Sequence, residues 1–472
     1  MGCIEVGQFV IKSMNYFKKH LNPSITFVSL VRIGLFCIFF LMTGCVPQIL
    51  GFKKYKGDSI PCPKINKTEA IRNPTLRPRL GFSDYGRNDS EFILAEQLKV
   101  DLLRIDFPWR EVIPNLNEED LIDLESLKSD PKKVEQLIKK ISEEKKWKSF
   151  DKKIDQAIKR NIEIIPIVGH GYKFYQPLYK GKPFGPHLVG QQKYLGTMAL
   201  FVRAFVRHYS HQFKIYQIEN ELNVAALTQL WGWREPSDFE AVKKGDWANL
   251  NFQKKVMETL LWSVKTEDPD GLVTHNFQTD LSGKLQNQIG QPTWEQSIEL
   301  WRNYLDIIGL DYYPNYYDSD KKVEGELSRI IETARVHGCG KPVWIIETNY
   351  PSGPKDLGYT PEKQANFIKM VKKEAEASRA EVLLFYGALS TSYVEDRETF
   401  ANQKKVMLRK FIKEYEKGSL SKILLMLLKY RKSFQSGELT YILTSVEPFW
   451  DFYDEFDNPK PAVDTFLNFK EK

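Results

Sequence analysis

Gln217-Ile218-Glu219-Asn220-Glu221-Leu222-Asn223 and Trp344-Ile345-Ile346-Glu347-Thr348-Asn349-Tyr350 are two segments of one kind. Each opens as an apolar, β-prone run and turns polar at a carboxylate, as a strand does when it delivers a side chain to the mouth of a parallel barrel. Outward from these two, strand-like and helix-like segments alternate. Candidate strands are 79–83, 102–107, 162–168, 215–218, 272–276, 307–312, 343–346 and 382–386. Alternation implies a parallel sheet with helical crossovers, and eight strands are what a closed barrel needs. The expected class is α/β, a single (β/α)8 TIM barrel over residues 79–472.

The intervening segments have the helical period. Phe201, Val202, Phe205, Val206 and Tyr209 recur at three-and-four spacing, and so do Phe252, Val256, Leu260, Leu261 and Val264. The second run stops at Asp268-Pro269-Asp270-Gly271, a turn that hands the chain to the fifth strand. Two stretches read as helical insertions, 113–150 after the second strand and 391–440 after the eighth. The latter holds Lys404-Lys405, Arg409-Lys410 and Ile423-Leu424-Leu425-Met426-Leu427-Leu428-Lys429. A basic helix there could lie on anionic lipid, or pack its leucines on the barrel.

Across 472 residues, 42% hydrophobic and 13% aromatic content suit a packed protein and exclude disorder as the main state. Lys18, Lys19 and Arg32 precede the apolar run Ile33–Met42, which ends in Thr43-Gly44-Cys45. That run is about half of what a bilayer-spanning helix needs, so residues 1–44 read as a signal peptide. The long part before its core admits a start at Met14. Met42-Thr43-Gly44-Cys45 resembles the bacterial lipobox, with Met where Leu is commoner. The resemblance implies lipidation of Cys45, a membrane anchor and a cell-envelope location. An ordinary signal peptide with an incidental cysteine is the alternative. Residues 45–78, with five prolines, read as a tether. The formal charge of +7 falls to +4 without the leader, which gives no case for nucleic acid as a partner. Of the five cysteines, Cys62 and Cys339 would remain; they could pair in an oxidising compartment, but their separation favours free thiols. There is no zinc-ligand spacing and no phosphate loop, so no metal or nucleotide cofactor is implied.

Strands four and seven lie three steps apart one way round an eight-stranded ring and five the other, so Glu221 and Glu347 should face each other across its mouth. Two carboxyl groups across a pocket are the minimum for glycosidic cleavage: one protonates the departing oxygen, the other attacks the anomeric carbon. Glu221 is the candidate acid and later base, which requires a raised pKa. Glu347 is the candidate nucleophile and must stay ionised. The Asn220 amide can hydrogen-bond a sugar hydroxyl beside the reacting carbon.

With these residues the chain resembles the retaining glycoside hydrolases of clan A, whose catalytic glutamates stand on barrel strands four and seven. The likeness rests on Asn220-Glu221, Glu347 and Asp306-Ile307-Ile308-Gly309-Leu310-Asp311-Tyr312-Tyr313-Pro314, with Arg104 on the second strand and His170 after the third. It implies hydrolysis of an oligo- or polysaccharide by double displacement. Tyr313 (or Tyr312) would hold the nucleophile, and Arg104 would support it unless it belongs to a structural ion pair. His170 is either a substrate ligand or a satisfied core residue. The sixth- and seventh-strand region is especially like endo-β-1,4-galactanases. Two features depart from the pattern. Glu219 stands before the Asn-Glu pair and could itself be the acid, and the tryptophan usual after the eighth strand is displaced to Trp450. Trp231 and Trp233 offer flat faces to sugar rings or to their own scaffold. The rival expectations are a non-catalytic barrel lipoprotein that binds glycan or a host protein, and a transglycosylase using the same residues.

Overall fold

Eight short runs rich in Ile, Leu and Val, buried almost throughout, form the parallel strands of a closed barrel: β1 (Arg79–Ser83), β2 (Leu102–Asp106), β3 (Glu163–Val168), β4 (Ile215–Ile218), β5 (Leu272–Gln278), β6 (Ile307–Tyr312), β7 (Val343–Thr348) and β8 (Val382–Tyr386). β1 closes the ring by pairing with both β2 and β8. The structure, a computed structural model, describes residues 62, 77–83, 89–230, 232–236, 245–280, 289–316, 318–353, 355, 358–388, 449–454 and 458–470. They fall almost wholly in one compact unit, 57–281, 292–398 and 446–472; of a second unit, 1–56, 282–291 and 399–445, only residues 289–291 are described. The leader, Cys45, Trp231 and the 391–440 insertion lie outside the described residues. No described helix is long and apolar enough to cross a membrane.

Burial on both faces is the physical reason for the apolar runs, since helices cover the outside and side chains fill the inside. Leu102, Ile165, Ile215, Ile307, Trp344, Ile346, Val382 and Leu384 form an apolar plug separate from the larger core between strands and helices. Farther along the same strands, at positions of the same parity, the plug gives way to Arg104, Gln217, Asn276 and Asp311, all buried. The floor of the barrel is oily and its mouth is polar.

β7 departs from regular alternation. Trp344 pairs with Gly309 and Ile345 with Leu310, but Glu347, not Ile346, pairs with Asp311. This β-bulge inserts one residue and shifts the phase, so Glu347 shares the register position of the inward Asp311. Gly309 makes the bulge possible: a Cβ there would sit 2.3 Å from Ile346 Cδ1.

The helix Gln191–Tyr209 buries Phe201, Val202, Phe205, Val206 and Tyr209, and Leu250–Glu267 buries Phe252, Val256, Leu260 and Val264. The side chain of Asn249 caps the latter by accepting from the amides of Asn251 and Phe252. Between β2 and β3 lie helices Leu124–Ser129, Pro131–Ile141 and Glu144–Lys159, the last running past 150 to just before β3. A three-stranded sheet of two-residue strands, Asn115–Leu116, Leu178–Tyr179 and Lys182–Pro183, lies outside the barrel.

One expectation is corrected. Cys62 and Cys339 form a disulfide across a sequence separation of 277, with Cα atoms 5.6 Å apart. Distance along the chain is no guide to distance in a closed barrel. Cys339 sits in the turn between helix Glu326–His337 and β7, at the floor end of the strands.

Candidate active site

The site is assembled from strand ends. β2 supplies Arg104, whose guanidinium is buried and fully engaged. Its Nε donates to Gln217 on β4. One Nη donates to Ser83 Oγ at 2.6 Å and to Glu347 Oε1, and the other to Asn220 Oδ1 at 2.7 Å. The second oxygen of Glu347 accepts from the Tyr313 hydroxyl at 2.7 Å. A cation on one oxygen and a phenol on the other hold the carboxylate plane. Tyr312 points elsewhere, its hydroxyl donating to Glu326.

Glu221 follows β4 through an abrupt change of backbone. Glu219 and Glu221 both have positive φ, 56° and 45°. Non-glycine residues rarely adopt this left-handed conformation, and where they do it is commonly at functional sites. Extended geometry would give both glutamates one orientation; the kinked chain separates them. Glu219 is fully buried, accepts from the amides of Gly171 and Asn220, and pairs with Arg234 at 3.0 Å. Arg234 is itself sandwiched between Tyr172 and Trp247. Glu219 is thus a scaffold ion, without access for a reacting molecule. Glu221 instead keeps partial exposure, and its Oε2 accepts from the Tyr172 hydroxyl at 3.0 Å.

Carboxylate oxygens of Glu221, Glu347 and Asp311 all lie within 4.8 Å of one another. Burial pushes Glu221 up to about 7, the facing Glu347 adds to the rise, and Tyr172, Asp311 and Arg104 oppose it. Asp311 is raised well above the ordinary carboxylate range, by burial first and by Glu347 and Glu221 second. Tyr313 is held protonated by burial and by Glu347, so it remains a donor. The trio could bracket a cation, but the Arg104 guanidinium already plays that part for Glu347, and it is not taken as a metal site.

Asn276 on β5 ties the two halves together. Its Nδ2 donates to Asn220 Oδ1 at 2.8 Å and to Asp311 Oδ2 at 2.5 Å; its Oδ1 accepts from Gln217 and from the Glu221 amide. Asn220 therefore sits between Arg104 and Asn276. His170 lies 3.8 Å from Asp106 and 3.7 Å from Glu219, and stacks on Tyr172 and Tyr175. Burial, then Arg234 and Arg104, hold its imidazole well below the usual range, so it is neutral. Burial likewise pushes Asp106 up to about 6. Trp450 is buried with its ring 5.4 Å from that of Tyr313 and 5.6 Å from that of Tyr316. Trp233 is half-buried, 5.4 Å from Tyr172.

The structure thus brings Arg104, Asn220, Glu221, Tyr313 and Glu347 into one hydrogen-bonded group, with His170 and Trp450 on its flanks. Sequence reasoning missed Asp311, Asn276, Gln217, Asp106 and Tyr172. Period-two alternation back from Tyr313 marks Asp311, and forward from Arg104 marks Asp106. Tyr172 is on a loop and has no such signal.

No family model matches the chain, and no curated protein matches it in sequence. Among solved structures, a GH5_18 protein from Streptomyces cattleya in complex with GlcNAc aligns over 84% of this chain and 80% of its own, with TM-score 0.51 and 13% identity. A family 39 glycoside hydrolase from the gut symbiont Bacteroides cellulosilyticus WH2 covers 83% of this chain and 63% of its own, with TM-score 0.47 and 12% identity. A hyperthermophilic β-glucosidase from Pyrococcus furiosus covers 72% and 86%, with TM-score 0.47 and 15% identity. The first of these shares the (β/α)8 barrel fold with this chain.

Proposed function

We propose that this protein is a retaining O-glycosyl hydrolase acting on β-linked glycans, with Glu347 as nucleophile and Glu221 as acid and base. The observation that carries the reading is the approach of their carboxylate oxygens to within 4.8 Å, in opposite surroundings. Retaining enzymes hold the pair about 5–5.5 Å apart, whereas inverting ones leave roughly 6.5–9.5 Å for a water. Glu347 is engaged by a guanidinium and a phenol; Glu221, pushed up to about 7, holds a proton near neutrality. In the first step a Glu347 oxygen bonds to the anomeric carbon as the bond to the departing oxygen breaks, and the Glu221 proton passes to that oxygen. In the second, water gives its proton to Glu221 and its oxygen to the anomeric carbon, releasing Glu347.

The non-catalytic reading loses its motive, because Glu219 is accounted for by Arg234. Transglycosylation differs only in the second acceptor. An exported, lipid-anchored envelope protein remains part of the proposal. The Cys62–Cys339 disulfide supports export, since such bonds persist mainly in oxidising compartments.

Anomeric configuration of the first product, followed by NMR on a panel of β-glycosides that includes galactan, tests the mechanism. Retention is expected; inversion would sink it. Glu221→Gln and Glu347→Gln should each lower kcat by at least about 10³-fold on unactivated substrates. Azide should rescue Glu347→Ala with inverted product and Glu221→Ala with retained product.

A further inference from the structure

Asp311 is a third carboxyl in a site whose chemistry needs two. It is fully buried, on β6, and its Oδ2 accepts from Asn276. Its Oδ1 is buried and has no donor among the described residues other than the facing Glu221 carboxyl. The groups facing this pair are Glu347 from β7, Arg104 from β2, Tyr172 from the loop after β3 and Asn276 from β5. Arg104 is directly bonded to Glu347, and among the described residues no cation is in hydrogen-bond contact with the other two acids. Two carboxylates at this range repel each other when both are ionised; one proton between them satisfies Asp311 Oδ1 and removes the repulsion.

We propose that Asp311 is a positioning residue that shares a single proton with Glu221 over the working range, so that the two acids titrate as one dyad. The inference rests on the glycosidase reading and gives Glu221 its proton reserve. When Glu221 gives a proton to the leaving oxygen, the charge it acquires is partly relieved as Glu347 becomes a neutral ester. Asp311 then returns to a shared proton when Glu221 takes one from water. Substitution of Asp311 by Asn keeps the shape and an oxygen for Asn276, but removes the second acid.

The test compares kcat/KM against pH for wild type and Asp311→Asn, on a substrate with a poor leaving group and on a dinitrophenyl glycoside that needs no acid. The expected result is a basic limb moved down by about one pH unit on the poor leaving group alone. An unmoved limb, or an equal loss at every pH on both substrates, overturns the proposal. A second measurement needs neither activity nor that variant. In infrared titration on an Asp280→Asn background, which removes the other acid pushed up to about 7, the protonated-carboxyl band lost near neutrality should move to lower pH when Glu221→Gln is added; an unmoved band rejects the dyad. Wild type that hydrolyses no glycoside would reject the glycosidase reading, while the infrared result would still decide the dyad.

Discussion

Arg104 shows how one residue organises a site. Its guanidinium meets Ser83 on β1, Gln217 on β4, Asn220 beyond it and Glu347 on β7. A buried ion pair of this kind adds little to stability, because desolvation offsets most of the attraction. What it contributes is orientation: a planar five-donor fork fixes the carboxylate in one pose. Tyr313 does the same from the other side, and a sharp contrast follows. Tyr313→Phe removes a hydrogen bond to a charged group, a loss of about 1.5–3 kcal/mol, or roughly 10–100-fold in kcat. Tyr312→Phe, one residue away, should leave kcat within about twofold, because its hydroxyl serves Glu326. Steady-state kinetics of the two variants decide it; equal losses would refute the assignment. Much of this was legible in advance. Asn220-Glu221 and Glu347 stood out as polar residues ending apolar strands, and Arg104 and Tyr313 only through the resemblance to clan A hydrolases. Asp311 was hidden because an aspartate inside an apolar strand motif looks like part of the pattern. Tyr172 was hidden because loops have no period.

Among the elements, β7 decides where Glu347 points. Strict alternation from the buried Trp344 and Ile346 would send Glu347 outward; the bulge reverses that. Sequence alone located the strand but not the bulge, whose signal is only a glycine on the neighbouring strand. Gly309→Ala should therefore act on both stability and chemistry. Its Cβ would press on Ile346 Cδ1 and on the His275 carbonyl, 2.8 Å away, costing about 1–3 kcal/mol in denaturant titrations. Activity should fall further than folding does, as Glu347 loses its place. Adding Ile346→Val removes the Cδ1 contact and should recover part of both losses. Recovery of neither would show that the glycine serves something other than the bulge. The turn at Glu219–Glu221 escaped sequence reading for a similar reason: β-strand parity was extended past the point where the chain is strand.

At the scale of the whole molecule, the barrel holds more buried acid than folding alone would favour. Burial pushes Glu221 and Asp280 up to about 7 and Asp106 up to about 6. Folded protein thus keeps protons that the unfolded chain releases from about pH 4 upward. By linkage, this part of the stability is fully present below that pH and is lost as pH rises through 6 and 7. Asp280 allows a clean check because its carboxylate accepts from the Tyr313 amide, a bond Asn can keep. Asp280→Asn should raise Tm by several degrees at pH 8 and leave it nearly unchanged at pH 4. An equal change at both would contradict the linkage. Eight strands and their order were readable because short apolar segments alternate with stretches of helical period along the chain. The disulfide was not, since only closure of the ring brings residue 62 to residue 339. Cys339→Ser should cost about 2–5 kcal/mol of stability and leave kcat unchanged, because Glu221 and Glu347 stand at the other end of the strands.

That clasp also gives the amino-terminal side of the chain a fixed point of attachment. Parallel strands give a barrel a front and a back, and Cys62 is riveted to the back, just upstream of β7. From Cys45 to Cys62 the chain can stretch no farther than about 60 Å. A fatty acid on Cys45 would hold the barrel by that back end, opposite the strand ends that carry Glu221 and Glu347.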